Sequence, residues 1–233
     1  MARTGFFHHI GSFLLFAATI LLLVATISAP VVNSISLLKV EVNDASSSGS
    51  NPALTFGTFG YCSINTGGAD ACSPKKVGYN PAAVVTAADV STSFSTAAED
   101  STKALTRVMI LHPIATGVAF IAFLLAVGAG VIGSFLGAFV SLITFIITAV
   151  ALICDFVLFH TIKDHVNDSN SNATAKYGAA IWLVLVAAIC SLLGTLVVFF
   201  SCCSARMHSQ RHVSSSAKVD PAYVQPSRRR RFF

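Results

Sequence analysis

Charged side chains are scarce in this sequence. Of its 233 residues only 11% are Asp, Glu, Lys or Arg, whereas 54% are hydrophobic, and the mean hydropathy is +0.74. A soluble globular domain carries about 25% charged residues, so this composition excludes a soluble domain. Six cysteines are too few for a disulfide-rich scaffold, and only Cys62 and Cys72 lie in a polar stretch. The composition is that of an integral membrane protein with a modest polar portion.

Catalytic and metal-binding motifs are also missing. The sequence contains no H-E-x-x-H, no G-x-S-x-G, no P-loop and no metal-spaced cysteines with histidine. We therefore expect no enzymatic activity and no cofactor. The formal charge of +5 does not indicate nucleic-acid binding, because the basic residues concentrate at the C-terminal end. A small channel ranks low among the remaining classes, since no charged or carbonyl-rich filter sequence is present.

Four hydrophobic runs are long enough to cross a bilayer, which takes roughly 20 apolar residues in a helix. They are residues 10–29, 114–133, 135–159 and 178–200. The first run has features of a cleaved signal peptide, but signal h-regions span only about 7–15 residues. Pro30 also disfavours cleavage after Ala29. We predict an all-α membrane protein, a four-helix bundle that retains its first helix.

Basic residues predict the orientation of the bundle. Residues 201–233 hold seven basic residues against one acidic residue, and short segments rich in Lys and Arg stay in the cytoplasm. With four spans, residues 1–9 lie on the same side, so both termini are predicted to be cytoplasmic. Residues 30–113 then form a large extracellular loop, and residues 160–177 form a short one.

The large loop contains the stretch "FGTFGYC", which ends at Cys62, and Cys72 follows ten residues later. In an oxidising compartment two cysteines this close most simply form a disulfide, which stabilises by roughly 2–3 kcal/mol on the chain-entropy model. Gly67 and Gly68 supply a turn between them, and the preceding segment is rich in strand-forming residues. We predict a small β-element of two strands clipped by this bridge. Free cysteines in an unstructured loop are the alternative.

The chain resembles the fungal PalI/Sur-type family of four-span plasma-membrane proteins, which is distantly similar to the claudins. The resemblance rests on the four spans, the large first outer loop and the segment "LTRVMILHPIATG" at residues 105–117. Its motif residues are Phe56, Gly57, Phe59, Gly60, Tyr61, Cys62, Cys72, His112 and Pro113. The resemblance implies a plasma-membrane location and no catalytic activity.

Two roles follow from this resemblance. PalI-type members assist a larger seven-span receptor that senses ambient alkaline pH. Sur-type members occupy static cortical membrane domains linked to cell-wall integrity, and other relatives mark growing tips and division sites. The first role implies an accessory of a pH-signalling receptor, and the alternative is a structural organiser of cortical domains and polarised growth. The expected partners are membrane lipids and another integral membrane protein, and an oligomer is compatible with the sequence.

Asp155 is the only acidic residue inside a predicted span. Carboxylates within a membrane are costly, and a functional role is the default hypothesis for them. His112 and His160 are expected near the same outer face, and histidine changes its charge near about pH 6.5. Asp155 paired with His112 or His160 is therefore a candidate for a group that responds to external pH. An interfacial or packing role for Asp155, beside functionless exposed histidines, is the alternative.

Two kinds of covalent modification are also suggested by position. Cys202 and Cys203 follow the fourth span on its cytoplasmic side, where S-palmitoylation occurs. Asn167 and Asn172 head the glycosylation sequons "NDS" and "NAT" in the short outer loop. Because this loop is short, the nearness of the membrane is a reason against glycan transfer to either residue.

Overall fold

A computed structural model of the chain describes residues 6–42, 52–64, 70–88, 93–128, 131–169 and 173–216, and from residue 202 onward it describes the helix without side chains. Within these ranges four helical segments are long and apolar enough to cross a membrane. They are His8–Thr26, Thr96–Gly128, Phe135–Asp168 and Ala179–Ser201. The predicted four-helix membrane bundle is confirmed.

The described residues form six helices. Four of them, α1, α4, α5 and α6, are apolar over most of their surface, as expected of helices in lipid. The two short helices, α2 and α3, lie between α1 and α4 in sequence, and the Ser95 side chain caps α3 by accepting from Ala98 N–H. Their bounds are α1 Phe6–Thr26, α2 Pro81–Ala88, α3 Thr96–Val108, α4 Leu111–Gly128, α5 Val131–Asp168 and α6 Ala179–Ser216.

The bundle packs through small residues. Helix α1 contacts α6 and α4, and α5 contacts α4 and α6. Along α4 the buried positions are alanines, at 115, 119, 122 and 126, and a Cβ on Gly137 of α5 would lie 3.1 Å from the Ala126 nitrogen. Small side chains allow helix backbones to approach closely in lipid, where no hydrophobic force drives them together.

A five-stranded antiparallel sheet, in the order β4-β3-β2-β1-β5, lies beyond the end of the bundle where α1 ends and α4 begins. We call this end the outer end, because the sequence predicts that it faces outward. The predicted small β-element is confirmed, although it has five strands where two were expected. The segment before Cys62, predicted as one strand, is divided into β2 and β3 because the chain turns between Gly57 and Gly60. The sequence also missed β1 and β5, which pair with each other, and β5 comes from the second predicted outer loop. The strands are β1 Leu38–Val42, β2 Ala53–Phe56, β3 Tyr61–Ile64, β4 Ala71–Cys72 and β5 Ala173–Tyr177.

Helix α5 continues past the predicted end of its span at Phe159 as far as Asp168. Residues 160–168, predicted as part of a short loop, are therefore helical. The hydropathy falls after Phe159 because polar residues appear, but Ile162 and Val166 remain fully buried at helical spacing. Burial of this stripe against the sheet stabilises the additional turns.

One hydrophobic core joins the sheet to the bundle. It combines side chains of β1 and β2 with those at the outer ends of α5 and α6 and with residues preceding α2 and α4. Its largest fully buried members include Phe56, Phe159, Leu37, Leu38, Met109, Leu158, Ile162 and Ile181. The outer sheet is consequently packed onto the helices rather than tethered by loops alone.

Candidate functional site

Cys62 and Cys72 face each other across the β3–β4 pair and form a disulfide with an S–S distance of 2.08 Å. This confirms the predicted bridge. Asn33 lies beside it, with Oδ1 3.1 Å from the Cys62 sulfur and its amide donating to Asp70 at 3.1 Å. The sulfur of a disulfide carries no hydrogen, so the oxygen–sulfur approach is a van der Waals contact. The bridge and this contact fasten the short strand β4 to the sheet.

The family motif forms the turn between β2 and β3. This turn packs against the C-terminal end of α1. A Cβ at position 57 would collide with the backbone of Ala29, so only glycine permits this approach. Thr58 N–H donates to Ser28 Oγ at 3.1 Å, and the Thr58 hydroxyl donates to Ala25 O at 2.9 Å. Ala25 O also accepts from Ser28 N–H at 3.3 Å, so the motif adds a second hydrogen bond to a carbonyl group at the end of α1.

The motif's aromatic side chains pack into the outer cap, the unit formed by the sheet with α2 and α3. Phe56 is fully buried, and its ring lies parallel to that of Tyr79 with the centroids 6.4 Å apart. Tyr61 packs 6.1 Å from Phe56, while Phe59 is half-buried. The Tyr79 hydroxyl donates to Gly57 O at 2.8 Å. Burial, followed by the nearby Asp155 carboxylate, raises the pKa of Tyr79 well above its ordinary value, so the hydroxyl remains a donor.

Asp155 of α5 meets His112, which lies in the first turn of α4. His112 Nε2 is 3.0 Å from Asp155 Oδ2, and both side chains are almost fully buried. His160, the other predicted partner, is exposed and instead pairs with Asp164 one turn further along α5, at 2.7 Å. Of the two histidines proposed for the pH-responsive pair, His112 is thus the one beside Asp155.

The surroundings of His112 place one of its ring protons. His112 Nδ1 lies 3.1 Å from Met109 O, and because a carbonyl oxygen only accepts, Nδ1 carries a hydrogen. Attraction between Nε2 and Oδ2 then requires one more proton, on either atom. Although the two atoms are close, they lack hydrogen-bond alignment, and neither has a hydrogen bond within the described structure. The two side chains thus form a buried imidazole–carboxylate contact between α4 and α5.

Few other ionisable groups face this pair. Tyr79, from the segment before α2, feels the charge of Asp155, and Cys154 is its neighbour in α5. From α3, Arg107 packs against Gly78. The described side chains of α6 include no acidic or basic residue, and the histidines of α1 lie at its opposite end, where His8 Nε2 donates to Ala126 O at 2.8 Å. Within the described bundle, His112 and Asp155 are each other's only salt-bridge partner.

The remaining predicted site residues are placed as follows. Pro113 lies in the first turn of α4, where its missing N–H costs nothing. Asn167 lies at the end of α5, and its side-chain amide is bonded to Ala175 of β5. Asn172 lies outside the described residues, and the side chains of Cys202 and Cys203 are not described. Among the described residues no group of three or more His, Cys, Asp or Glu could hold a metal ion.

The comparison with known protein families agrees with this architecture. The sequence model of the SUR7/PalI family matches residues 7–194. The chain belongs to the SUR7/PalI family. In this SUR7/PalI protein the match covers the first three spans, the sheet and most of the fourth span, which ends at Ser201.

Curated relatives of this SUR7/PalI protein are named as pH-response regulators. It is 35% identical over 114 residues to the pH-response regulator protein palI/prr-5 of Neurospora crassa, covering 49% of this chain and 14% of that protein. The palI/RIM9 protein of Pyricularia oryzae is 30% identical over 153 residues, 63% of this chain and 19% of that protein. The palI/RIM9 protein of Yarrowia lipolytica is 34% identical over 154 residues, 63% and 18% respectively. The chain thus spans less than a fifth of the length of these relatives.

Sequence reasoning missed two residues that organise the site. Tyr79 joins the motif to the region of Asp155, and its only sequence signal is an aromatic residue in the turn-forming stretch "VGYNP". Thr58 caps α1 from inside the motif, but a threonine between glycine and phenylalanine gives no such indication. Both roles depend on contacts between segments far apart in the chain.

Proposed function

We propose that this SUR7/PalI protein is a non-enzymatic accessory of an ambient-pH signalling receptor in the plasma membrane, with both termini in the cytoplasm. The names of the curated relatives support a pH-response role. The observation that carries the proposal is the buried contact of 3.0 Å between His112 Nε2 and Asp155 Oδ2, which places an imidazole beside a carboxylate.

The sign of the response follows from the proton count. With its proton, the pair is either an imidazolium beside a carboxylate or a neutral imidazole beside a carboxylic acid, and both arrangements attract. Without the proton, the lone pair of Nε2 faces a buried carboxylate. An unpaired buried charge costs several kcal/mol. The α4–α5 contact is therefore stable at lower pH and weakens as the pH rises, which suits an alkaline response.

A change at the pair has a route to the outer surface. Met109, whose carbonyl accepts from His112, is buried in the same core as Phe56 and Tyr79. Tyr79 in turn donates to Gly57 in the family motif. Movement of the start of α4 relative to α5 would change how this motif packs against the end of α1. We infer that the outer cap takes one arrangement when the pair is protonated and another when it is deprotonated. A partner membrane protein binds only one of these arrangements.

The test uses a deletion strain that carries a reporter of the alkaline response. Asp155→Asn supplies a neutral amide that donates to Nε2 at every pH, so the reporter midpoint should shift or the response should flatten. Asp164→Asn is the matched control, because it breaks the exposed His160 pair and should leave the midpoint unchanged. Protein levels are compared by immunoblot.

The outcomes separate the two parts of the proposal. An unchanged midpoint for Asp155→Asn at equal protein level rejects the pair as the responsive element. A normal alkaline response in the deletion strain itself rejects the pH role. A deletion strain with intact pH signalling, defective walls and loss of static cortical patches instead identifies a structural organiser.

A further inference from the structure

Asn167 and Ala175 make a two-point contact between the end of α5 and strand β5. The Ala175 N–H donates to Asn167 Oδ1 at 2.9 Å, and Asn167 Nδ2 donates to Ala175 O at 3.2 Å. One side-chain amide thus satisfies both backbone groups of a single strand residue. We call this contact the amide clasp.

The position of Ala175 in the sheet explains why the clasp is needed. Ala175 lies opposite Val40 in the antiparallel β1–β5 pair. In such a pair, alternate residues direct both backbone groups away from the neighbouring strand. Ala175 is one of these, since its N–H and C=O both meet Asn167. Strand β5 is the last in the sheet order, so these groups would otherwise lie on an edge open to another strand.

We propose that Asn167 closes the β5 edge of the sheet and carries no glycan in the folded protein, although it heads the sequon "NDS". Glycan transfer replaces one hydrogen of Nδ2 with a bond to C1 of the sugar, while the lipid-linked pyrophosphate leaves and the proton goes to solvent. In the usual geometry of a secondary amide, the sugar lies on the same side as the carbonyl oxygen. That is the position of the hydrogen that faces Ala175 O in the clasp. The glycan and the clasp exclude each other.

The rest of the sequon is also engaged at the end of the helix. Ser169 donates its hydroxyl to Val166 O at 2.9 Å and its N–H to His165 O at 3.2 Å. A chain glycosylated at Asn167 before folding would leave the Ala175 carbonyl unpaired and the edge open. The assignment is independent of the proposed pH role, because it concerns the sheet edge and not the buried pair.

The first experiment measures glycan occupancy. Asn172→Gln removes the only other sequon in the sequence, and the variant is expressed in a glycosylating fungal cell and purified from membranes. Treatment with an endoglycosidase should leave its mobility in gel electrophoresis unchanged. A downward shift in most of the folded protein would overturn the proposal.

The second experiment tests the clasp itself, since membrane proximity alone could also prevent glycan transfer. Hydrogen–deuterium exchange is followed by mass spectrometry in the peptide that contains residues 173–177. Asn167→Ala removes both bonds, so the Ala175 amide should exchange about 10-fold faster. Ser169→Ala also abolishes the sequon but keeps the clasp, and its exchange should match that of the unaltered chain.

Asn167→Asp should give an intermediate rate of exchange at the Ala175 amide. Its carboxylate still accepts from the Ala175 N–H but faces the Ala175 carbonyl with a second acceptor, so exchange should rise by less than in Asn167→Ala. Thermal unfolding of each variant shows that the bundle remains folded. Unchanged exchange in Asn167→Ala, or equal acceleration in Ser169→Ala, would refute the clasp.

Discussion

At the residue scale, the sequence offered two candidate histidine partners for Asp155 but did not decide between them. His160 lies five residues further along the same helix, and at 3.6 residues per turn it points to a different side. His112 approaches from α4 and meets Asp155 only because these two helices pack together. The carboxylate was predictable from its cost in a membrane, whereas the partner required the packing of the bundle.

Removing one member of the buried pair should destabilise the protein strongly. Asp155→Ala leaves the His112 imidazole buried without its counter-charge, and breaking a buried pair in this way costs about 3 kcal/mol or more. Asp164→Ala, at the exposed His160 pair, should cost less than about 1 kcal/mol. The free energy of unfolding in detergent micelles measures both. Equal small losses would contradict a buried ion-pair contact.

Gly57→Ala should loosen the motif from α1, because the added methyl group collides with the Ala29 backbone. Such overpacking typically costs about 1–3 kcal/mol. Gly117→Ala is the control, since a Cβ there meets nothing within 4 Å and alanine is favoured over glycine in a helix. The melting temperature should fall for the first variant and stay level or rise for the second. The reverse order would show that the motif is not packed in this way.

At the element scale, the sequence predicted β-structure near Cys62 from local composition, and it predicted the disulfide from spacing. It did not reveal β1 or β5. Strands "LKVEV" and "ATAKY" are short and pair across more than a hundred residues of chain, so no local pattern links them. The sequence also did not predict the extension of α5. The polar residues after Phe159 end the hydropathy signal, although Ile162 and Val166 remain buried.

Replacing both bridge cysteines should release β4 without unfolding the bundle. The double variant Cys62→Ser/Cys72→Ser loses the closure of a short loop, worth roughly 2–3 kcal/mol on the chain-entropy model. Amide exchange should accelerate at residues 70–73 and stay slow in α4 and α5. Cys190→Ala, at a free cysteine of α6, serves as the control. Unaltered exchange at β4 in the double variant would show that the bridge does not hold this strand.

The β1–β5 pair should also weaken in acid. Hydrogen bonds from Lys39 and then Lys176 lower the pKa of Glu41 from its ordinary value of 4.5. Because the folded value lies below the unfolded one, the stabilisation is complete above pH 4.5 and is lost as the pH falls through the folded value. Thermal melting against pH should therefore decline in acid less steeply for Glu41→Gln than for the unaltered chain. Parallel curves would show that Glu41 contributes nothing.

At the scale of the whole molecule, the predicted spans and outer loops turned out to be parts of one packed unit. The sheet draws strands from both outer segments, and its core continues into the ends of α5 and α6. Hydropathy was sufficient for the four spans because each must satisfy the bilayer separately. Hydropathy carried no information about the position of β5 in the sheet, because β5 pairs with β1 and these two strands come from different outer segments. The buried His112–Asp155 contact lies at this junction, where the bundle and the outer cap can influence each other.

The most direct test of the central claim is a pH titration of His112 by ¹⁵N NMR, with the protein in lipid nanodiscs. The spectrum of the His112 imidazole is followed from about pH 5 to about pH 8, the range in which histidine charge usually changes. We expect the Nε2 resonance to report loss of the shared proton as the pH rises, and the change to disappear in Asp155→Asn. A His112 signal that stays constant over this range, or that titrates identically in Asp155→Asn, would contradict the account.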